Sequence, residues 1–252
     1  MTTTRQPAPA SPIAGRKASE TIARRVVETI AERGLAPGDM LPREADMLSH
    51  YAVSRETLRE ALRLLEVQGL ITLRRGPGGG PVVGAAQSVN LGRVCTLYFQ
   101  LAGATYRELF EAWVFGEVTL ADRAARNPDA DLRARTMAPY TESVDYDDLD
   151  SVASFRLVHT GFHDAVGLLG DNRVLDLTLA SFGKIVSFQA EVIEDPRILR
   201  TQIYDDHHRL ARAIAAGHNR AASKIMEDHI LAVQEYFHEH FQGRLDDAVE
   251  WV

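Results

Sequence analysis

The sequence predicts a mainly α protein in two parts, three helices closed by a small β-hairpin and then an all-α helical bundle. Three observations carry this expectation. Apolar residues recur at three- and four-residue spacing through most of the chain, the mark of amphipathic helices. The strand-like runs flank one glycine-rich stretch, Gly76-Pro77-Gly78-Gly79-Gly80. Formal charge changes sign where that stretch ends. Residues 1–84 hold 12 of the 28 Lys/Arg and 9 of the 35 Asp/Glu, net +3, which leaves −10 for the rest of a chain whose net charge is −7.

At 252 residues the chain can bury two modest cores. The expected boundaries are a disordered arm at 1–15, rich in Thr, Pro, Ala and Ser, then a small basic domain at 16–84 and an acidic helical domain at 85–252. Cys95 is the single cysteine and cannot form an internal disulfide, which fits a reducing compartment. No apolar run reaches the roughly 20 residues needed to span a bilayer, and Met1 to Pro12 has no hydrophobic signal core. These features set the expectation of a soluble, cytoplasmic protein with no membrane partner.

Helical periodicity begins near Lys17, where Ile22, Val26, Val27 and Ile30 share a face and Gly34 is placed to close the helix. Pro37-Gly38 has turn chemistry, and Pro42 can open a second helix from about Arg43 to Tyr51. Ser54 can cap a third helix, which Leu58, Ala61, Leu62 and Leu65 anchor and Gly69 ends. The segment Leu70–Val83 then reads as two short strands around the glycine-rich tip. The glycines do not form a phosphate-binding loop, because no Gly-Lys-Ser/Thr and no helix start follow them. Three helices and a hairpin in this order make a winged helix-turn-helix. Beyond Ser88, breakers at Gly103, Asn127-Pro128, Gly170-Asp171, Pro196 and Gly217 separate six or seven helices. The clearest are Thr105–Arg126, Leu149–Leu169, Asn172–Ile193, Pro196–Ala216 and Asn219–Phe241.

In a winged helix the third helix can lie in a DNA major groove, with its first turns offering side chains to bases and phosphates. Here those turns carry Ser54, Arg55, Glu56, Thr57 and Arg59. Arg55 and Arg59 lie four apart on the face opposite the leucines. The competing reading of the same charges is a solvated face of intrahelical ion pairs among Arg55, Glu56, Arg59, Glu60 and Arg63. The stretches Leu41-Pro42-Arg43-Glu44 and Val53 to Glu66, with the preceding Pro-Gly turn and the following hairpin, closely resemble the GntR family of bacterial regulators over about 70 residues. The resemblance implies that Arg55 and Arg59 contact bases and phosphates, that Ser54 and Thr57 assist, and that Arg75-Gly76 enters the minor groove. Ala45 stands where the family commonly has Arg, and Arg43, in place of the usual Ser, is a candidate for the missing phosphate contact.

The helical part is similar to the FCD-type ligand-binding domain of the FadR subfamily, through Phe162-His163, the break at Gly170-Asp171-Asn172, and His207 followed by Ala213-Ile214, Gly217 and His229. The resemblance implies a divalent metal held by His159, His163, His207 and His229, with His159 where the subfamily usually has Asp. The residues support this independently, since His159 and His163 are i and i+4 and project from one helical face. Imidazole ligands suit zinc, with nickel next. Trp113 and Glu117 fall where the subfamily lines its effector pocket, Trp113 replacing an arginine, and Arg156 is a candidate for restoring the positive charge. The expected protein is therefore not an enzyme. It is a homodimeric transcription repressor that binds operator double-stranded DNA under control of a carboxylate or acyl-type small-molecule effector. The alternatives are a regulator for which the metal itself is the signal, and a His-ligated metal-dependent hydrolase, against which the absence of His-Glu-x-x-His counts.

Overall fold

The computed structural model describes residues 12–76, 78–85, 87–141, 152–191, 200–240 and 244–251; side chains at 12–16, 152–158, 188–191 and 200–201 are not among those described. The chain divides into two compact units between Gln87 and Ser88. Ten α-helices and one two-stranded antiparallel sheet are found among the described residues.

The first unit contains α1 (Pro12–Glu32), α2 (Glu44–Tyr51), α3 (Arg55–Val67), β1 (Ile71–Arg74) and β2 (Gly80–Val83). The expectation of a disordered arm to residue 15 is corrected at its boundary, because α1 starts at Pro12. Proline is tolerated in a first helical turn, where its missing N–H has no partner to lose and its φ is already helical. The rest of the arm, residues 1–11, lies outside the described residues. Ile22, Ala23 and Val26 of α1 pack with Met47 and Tyr51 of α2 and with Leu58, Ala61, Leu62 and Leu65 of α3. The Tyr51 hydroxyl lies 3.0 Å from the Thr29 hydroxyl, and the Arg25 guanidinium sits 4.9 Å above the Tyr51 ring centre.

The link from α2 to α3 turns through Ala52, at φ 52° in the left-handed region. Glycine would be the usual choice there, and nothing in an alanine announces it. Ser54 then caps α3, its hydroxyl accepting the Thr57 backbone N–H. At the far end Gly69 takes φ 72°, and Leu70 N–H donates to the Leu65 carbonyl, closing the helix. The hairpin pairs Ile71 with Val83 and Arg74 with Gly80. The segment before α2 ties onto β2 as well, through Leu41 N–H to the Pro81 carbonyl and Val83 N–H to the Asp39 carbonyl. The wing is thereby fastened to the helices at its base rather than left as an isolated two-stranded ribbon.

The second unit contains α4 (Ser88–Ala102), α5 (Tyr106–Ala125), α6 (Ala130–Thr141), α7 (Val152–Gly170), α8 (Arg173–Glu191), α9 (Arg200–Ala215), α10 (Asn219–His240) and a 3-10 turn at Arg244–Asp246. Residues 149–151, 192–193, 196–199 and 241, which the sequence reading included in helices, lie outside the described residues. α5 is the central helix and packs against α7, α8, α9 and α10. A reciprocal cap starts it, Thr105 N–H donating to Glu108 and Glu108 N–H to the Thr105 hydroxyl. Its close approach to α8 depends on Gly116, where any Cβ would collide with Leu179. The α7–α8 break uses Asp171 at φ 47° and Asn172, whose side chain accepts the Leu175 N–H. Arg123 of α5 donates to the Gly170 carbonyl at 2.7 Å, satisfying the end of α7.

Leu58 is fully buried at the centre of the first unit. Replacing it with alanine is expected to destabilise that unit by about 2–5 kcal/mol, the range for emptying a leucine site in a close-packed core. The drop would be read as a lower urea midpoint for the first transition of the full chain, and an unchanged midpoint would contradict this packing.

Candidate functional site

Two constellations, one in each unit, carry chemistry. In the first, Arg43, Arg55, Arg59, Arg75 and Gly76 lie at or near the surface, as does Arg74. Arg43 immediately precedes α2, Arg55 and Arg59 rise from the first turns of α3, and Arg75-Gly76 follow β1 at the wing tip, with Gly76 at φ 99°. The Arg55 guanidinium does not follow the intrahelical pairing that the competing reading required. It meets Glu44 of α2 at 3.2 Å. Both side chains are largely solvated, so this pair is weak and can yield to a stronger anion. Ser54 and Thr57 are partly committed to each other, their hydroxyls 2.8 Å apart at the helix cap. They hold the helix start in place, beside the arginines.

In the second unit, His159 and His163 of α7, His207 of α9 and His229 of α10 converge, with one ring nitrogen from each lying within 4.8 Å of the others. His207 and His229 are buried, 2% and 1% exposed, while His159 and His163 are half-buried. His207 Nε2 and His229 Nε2 stand 3.3 Å apart. Two nitrogens at roughly 2.0–2.1 Å from one tetrahedral zinc would stand roughly 3.3–3.4 Å apart. His163 Nδ1 faces Glu117 Oε2 at 3.4 Å, and His163 Nε2 is buried without a hydrogen-bond partner. A buried unsatisfied imidazole nitrogen beside three others is costly unless something bonds to its lone pair. The donor set therefore fits a divalent cation of borderline softness.

The electrostatics agree. Burial, reinforced by repulsion from neighbouring imidazoles, holds His159 and His207 well below the ordinary histidine pKa. Burial lowers His229 too, against the opposing pull of Asp206. Neutral imidazole is the form that ligates a metal. His229 Nδ1 lies 3.6 Å from Asp206 Oδ2, so two of the four rings have a carboxylate behind them.

A cleft of about 50 Å³ opens beside His159 and His163, bounded by Trp113, Glu117, Thr160, Gly183 and Lys184 among others. At roughly 10–15 Å³ for one water, this is room for a few waters or a small polar group. Trp113 and Glu117, expected at an effector pocket, line this cleft and bond to each other, the indole N–H donating to Glu117 at 3.1 Å. Trp113 also packs in the apolar core. Arg156 is on α7, but its side chain lies outside the described residues. Sequence reasoning missed Lys184, whose ammonium donates to the Thr160 hydroxyl at 3.2 Å, and it missed Asp206. A lone lysine between Gly183 and Ile185 on an otherwise apolar stretch, and an acid directly before His207, were the available signals.

Residues 18–79 match the family model described as bacterial regulatory proteins, gntR family, and residues 108–232 match the FCD domain. The HTH-type transcriptional repressor NanR of Escherichia coli O127:H6 is 24% identical over 172 residues, 65% of this chain and 62% of that protein. The mannosyl-D-glycerate transport/metabolism system repressor MngR of Escherichia coli K12 is 44% identical over 57 residues, 23% of this chain and 24% of that protein. These matches span less than two thirds of either relative's length. The solved structure of a Streptococcus agalactiae GntR protein shares the fold at TM-score 0.62 and 21% identity, covering 86% of this chain and 99% of that one. These relatives carry the names of transcription regulators, not of enzymes. No helix among the described residues is long and apolar enough to cross a membrane.

The depressed histidines make acid stability predictable. Their folded pKa values lie below the ordinary value of 6.5, so as pH falls the unfolded chain takes up protons first. Their contribution is fully present above 6.5 and is lost below it. The metal-free protein is expected to unfold at a lower temperature at about pH 5.5 than at about pH 7.5, and replacing His207 with Gln should shrink that difference. A scanning calorimetry profile that is flat across this window would refute the assignment of neutral buried imidazoles.

Proposed function

The chain belongs to the GntR family of bacterial regulatory proteins, its helix-turn-helix unit followed by an FCD domain, and from that premise we propose that it is a transcription repressor whose operator affinity answers to a small anionic effector bound beside a metal. In this reading a homodimer places one α3 in each half-site of a pseudo-palindrome, matching protein symmetry to DNA symmetry. Arg55 and Arg59 supply guanidinium donors to guanine edges and phosphates. The exposed Glu44 pair engages Arg55 until a phosphate replaces the carboxylate. Ser54 and Thr57 fix the first turn, Arg43 adds a phosphate contact from the start of α2, and Arg75-Gly76 at the wing approach the minor groove.

The observation that carries the regulatory half is the convergence of four imidazole nitrogens, with two of the rings, His159 and His163, lining a cleft. His159, His163, His207 and His229 would hold a divalent ion, zinc or nickel by their donor type. The ion would supply a Lewis-acidic positive centre for an anionic ligand. The chain's own contribution is Lys184, held by Thr160 on the cleft wall, which gives a carboxylate a second positive partner where Trp113 gives none. A ligand shifts the equilibrium between DNA-binding states only by its differential affinity for them, so the effector must prefer one arrangement of this cleft.

A second reading is favoured by one specific feature. Four nitrogens complete a tetrahedral shell without any carboxylate or added ligand, as they would in a protein for which the metal is itself the signal. Operator affinity of apo and metal-loaded protein, measured with no organic ligand, separates the two. A metal-only switch changes it, and an effector-gated repressor does not.

Binding to a duplex from upstream of the protein's own coding sequence is expected to weaken as salt rises, and Arg55→Ala with Arg59→Ala should reduce the log–log salt slope by about one unit for each phosphate left without its arginine. Fluorescence anisotropy that shows no salt dependence, or no change in the double variant, would remove the DNA-binding assignment of this ridge. For the cleft, Lys184→Met is expected to leave metal content unchanged while weakening the anionic effector by about 1–3 kcal/mol, the range for a charge-assisted hydrogen bond. Equal effector affinity by calorimetry would show that Lys184 is only a wall residue.

A further inference from the structure

The four-histidine set raises a question of charge. Four neutral imidazoles contribute none, so a bound divalent ion would leave two positive charges at least partly buried, with Lys184 on the same cleft wall. An uncompensated charge in such a place is strongly unfavourable. Two carboxylates stand directly behind the rings. Glu117 of α5 is 5% exposed at its side chain and lies 3.4 Å from His163 Nδ1. Asp206 of α9 is 11% exposed and lies 3.6 Å from His229 Nδ1. Neither belongs to the converging donor set; Glu117 faces His163 Nδ1, and Asp206 faces His229 Nδ1, the nitrogen opposite the one that meets His207.

We infer that Glu117 and Asp206 are positioning residues that neutralise the metal site from behind its ligands and fix the ligating tautomers of His163 and His229. The inference rests on the metal reading above. A carboxylate that accepts a hydrogen bond from Nδ1–H commits the ring to that tautomer and leaves the Nε2 lone pair for the ion. It also makes the imidazole a stronger donor. His163 shows this division, with Nδ1 toward Glu117 and Nε2 buried without a hydrogen-bond partner. Two carboxylates bring two negative charges against the two of the ion, while Lys184 shares its cleft wall with Asp164.

The donors that hold these carboxylates support the same role. Glu117 receives the Trp113 indole N–H at 3.1 Å, a neutral donor that orients the group without cancelling its charge. A guanidinium at position 113 would have offset that charge before any metal arrived. Asp206 meets Arg209 at 3.2 Å, but Arg209 is 62% exposed and solvent screens its charge. Trp113 therefore has a function besides core packing, in fixing which Glu117 oxygen is left for His163.

The test is a competition titration of full-length protein with a chromophoric chelator and zinc, comparing wild type with Glu117→Gln, Asp206→Asn and the exposed control Asp228→Asn. Glutamine keeps the shape and can still accept from Trp113, so the metal-free unfolding temperature should move little. Zinc affinity is expected to fall by about 10–100-fold in each of the first two variants and to hold within about twofold in the control. Nitrogen-15 spectra should show His163 losing its single tautomer in Glu117→Gln and His229 losing its own in Asp206→Asn, a readout that a packing defect would not produce at one ring alone. Wild type that takes up no zinc overturns the metal reading and this inference together. Wild type that binds zinc, with both variants binding equally well, overturns this inference and leaves the metal reading standing. If one variant fails to fold, the other still decides, because the two carboxylates serve different rings on different helices.

Discussion

Four imidazoles brought together out of water cannot all carry protons, and the second unit is organised around that constraint. Charging any of them would put a cation against its neighbours in a poorly solvated place, and the depressed pKa values of His159, His207 and His229 express that cost. Neutral rings avoid repulsion but leave lone pairs without donors, of which His163 Nε2 is the plainest case. A helical core filled with leucine at these positions would face neither problem. The polar cluster is thus a liability to the fold unless a ligand resolves it, and a divalent cation of borderline softness would do so with a single particle.

The apolar framework around the cluster keeps it from collapsing or opening. Phe162 stacks on His207 at 4.0 Å between ring centres and is itself fully buried, so the His207 ring is clamped by the helix that carries His159 and His163. α5 supplies Glu117 from the middle of a helix whose other inward residues are apolar, and its capped start and its hydrogen bond to the end of α7 hold that position. The first unit is built the other way. There the buried leucines of α3 make a stiff support, and the charged face is left to solvent, where Arg55 makes only a weak, exchangeable pair. One unit buries its polar groups and must satisfy them, while the other exposes them and keeps them available.

Much of this was legible in the chain itself. The period of Leu58, Ala61, Leu62 and Leu65 announced α3, Ser54 its cap and Gly69 its end, because each acts within a turn or two of where it stands. The glycine-rich tip announced the hairpin for the same reason. Three features were not legible. The left-handed turn at Ala52 has no residue-type signal, since alanine pays a strain that only the surrounding helices enforce. The start of α1 at Pro12 extends into a composition that reads as an arm. The role of Lys184 depends on α8 lying against α7, which no spacing within α8 reveals.

By itself the sequence determined most of the helices and the breaks between them, the cap and end of α3, the arginines of its first turns, and the i, i+4 pairing of His159 with His163, because all of these follow from backbone periods and short-range hydrogen bonding. The tertiary structure alone decided that His207 and His229, on separate helices, meet that pair, that Glu117 and Asp206 stand behind two of the rings, and that a cleft opens beside them with a lysine on its wall. Those relations join residues far apart in the chain, and only the packing of α5, α7, α8, α9 and α10 into one core brings such distant side chains within bonding distance.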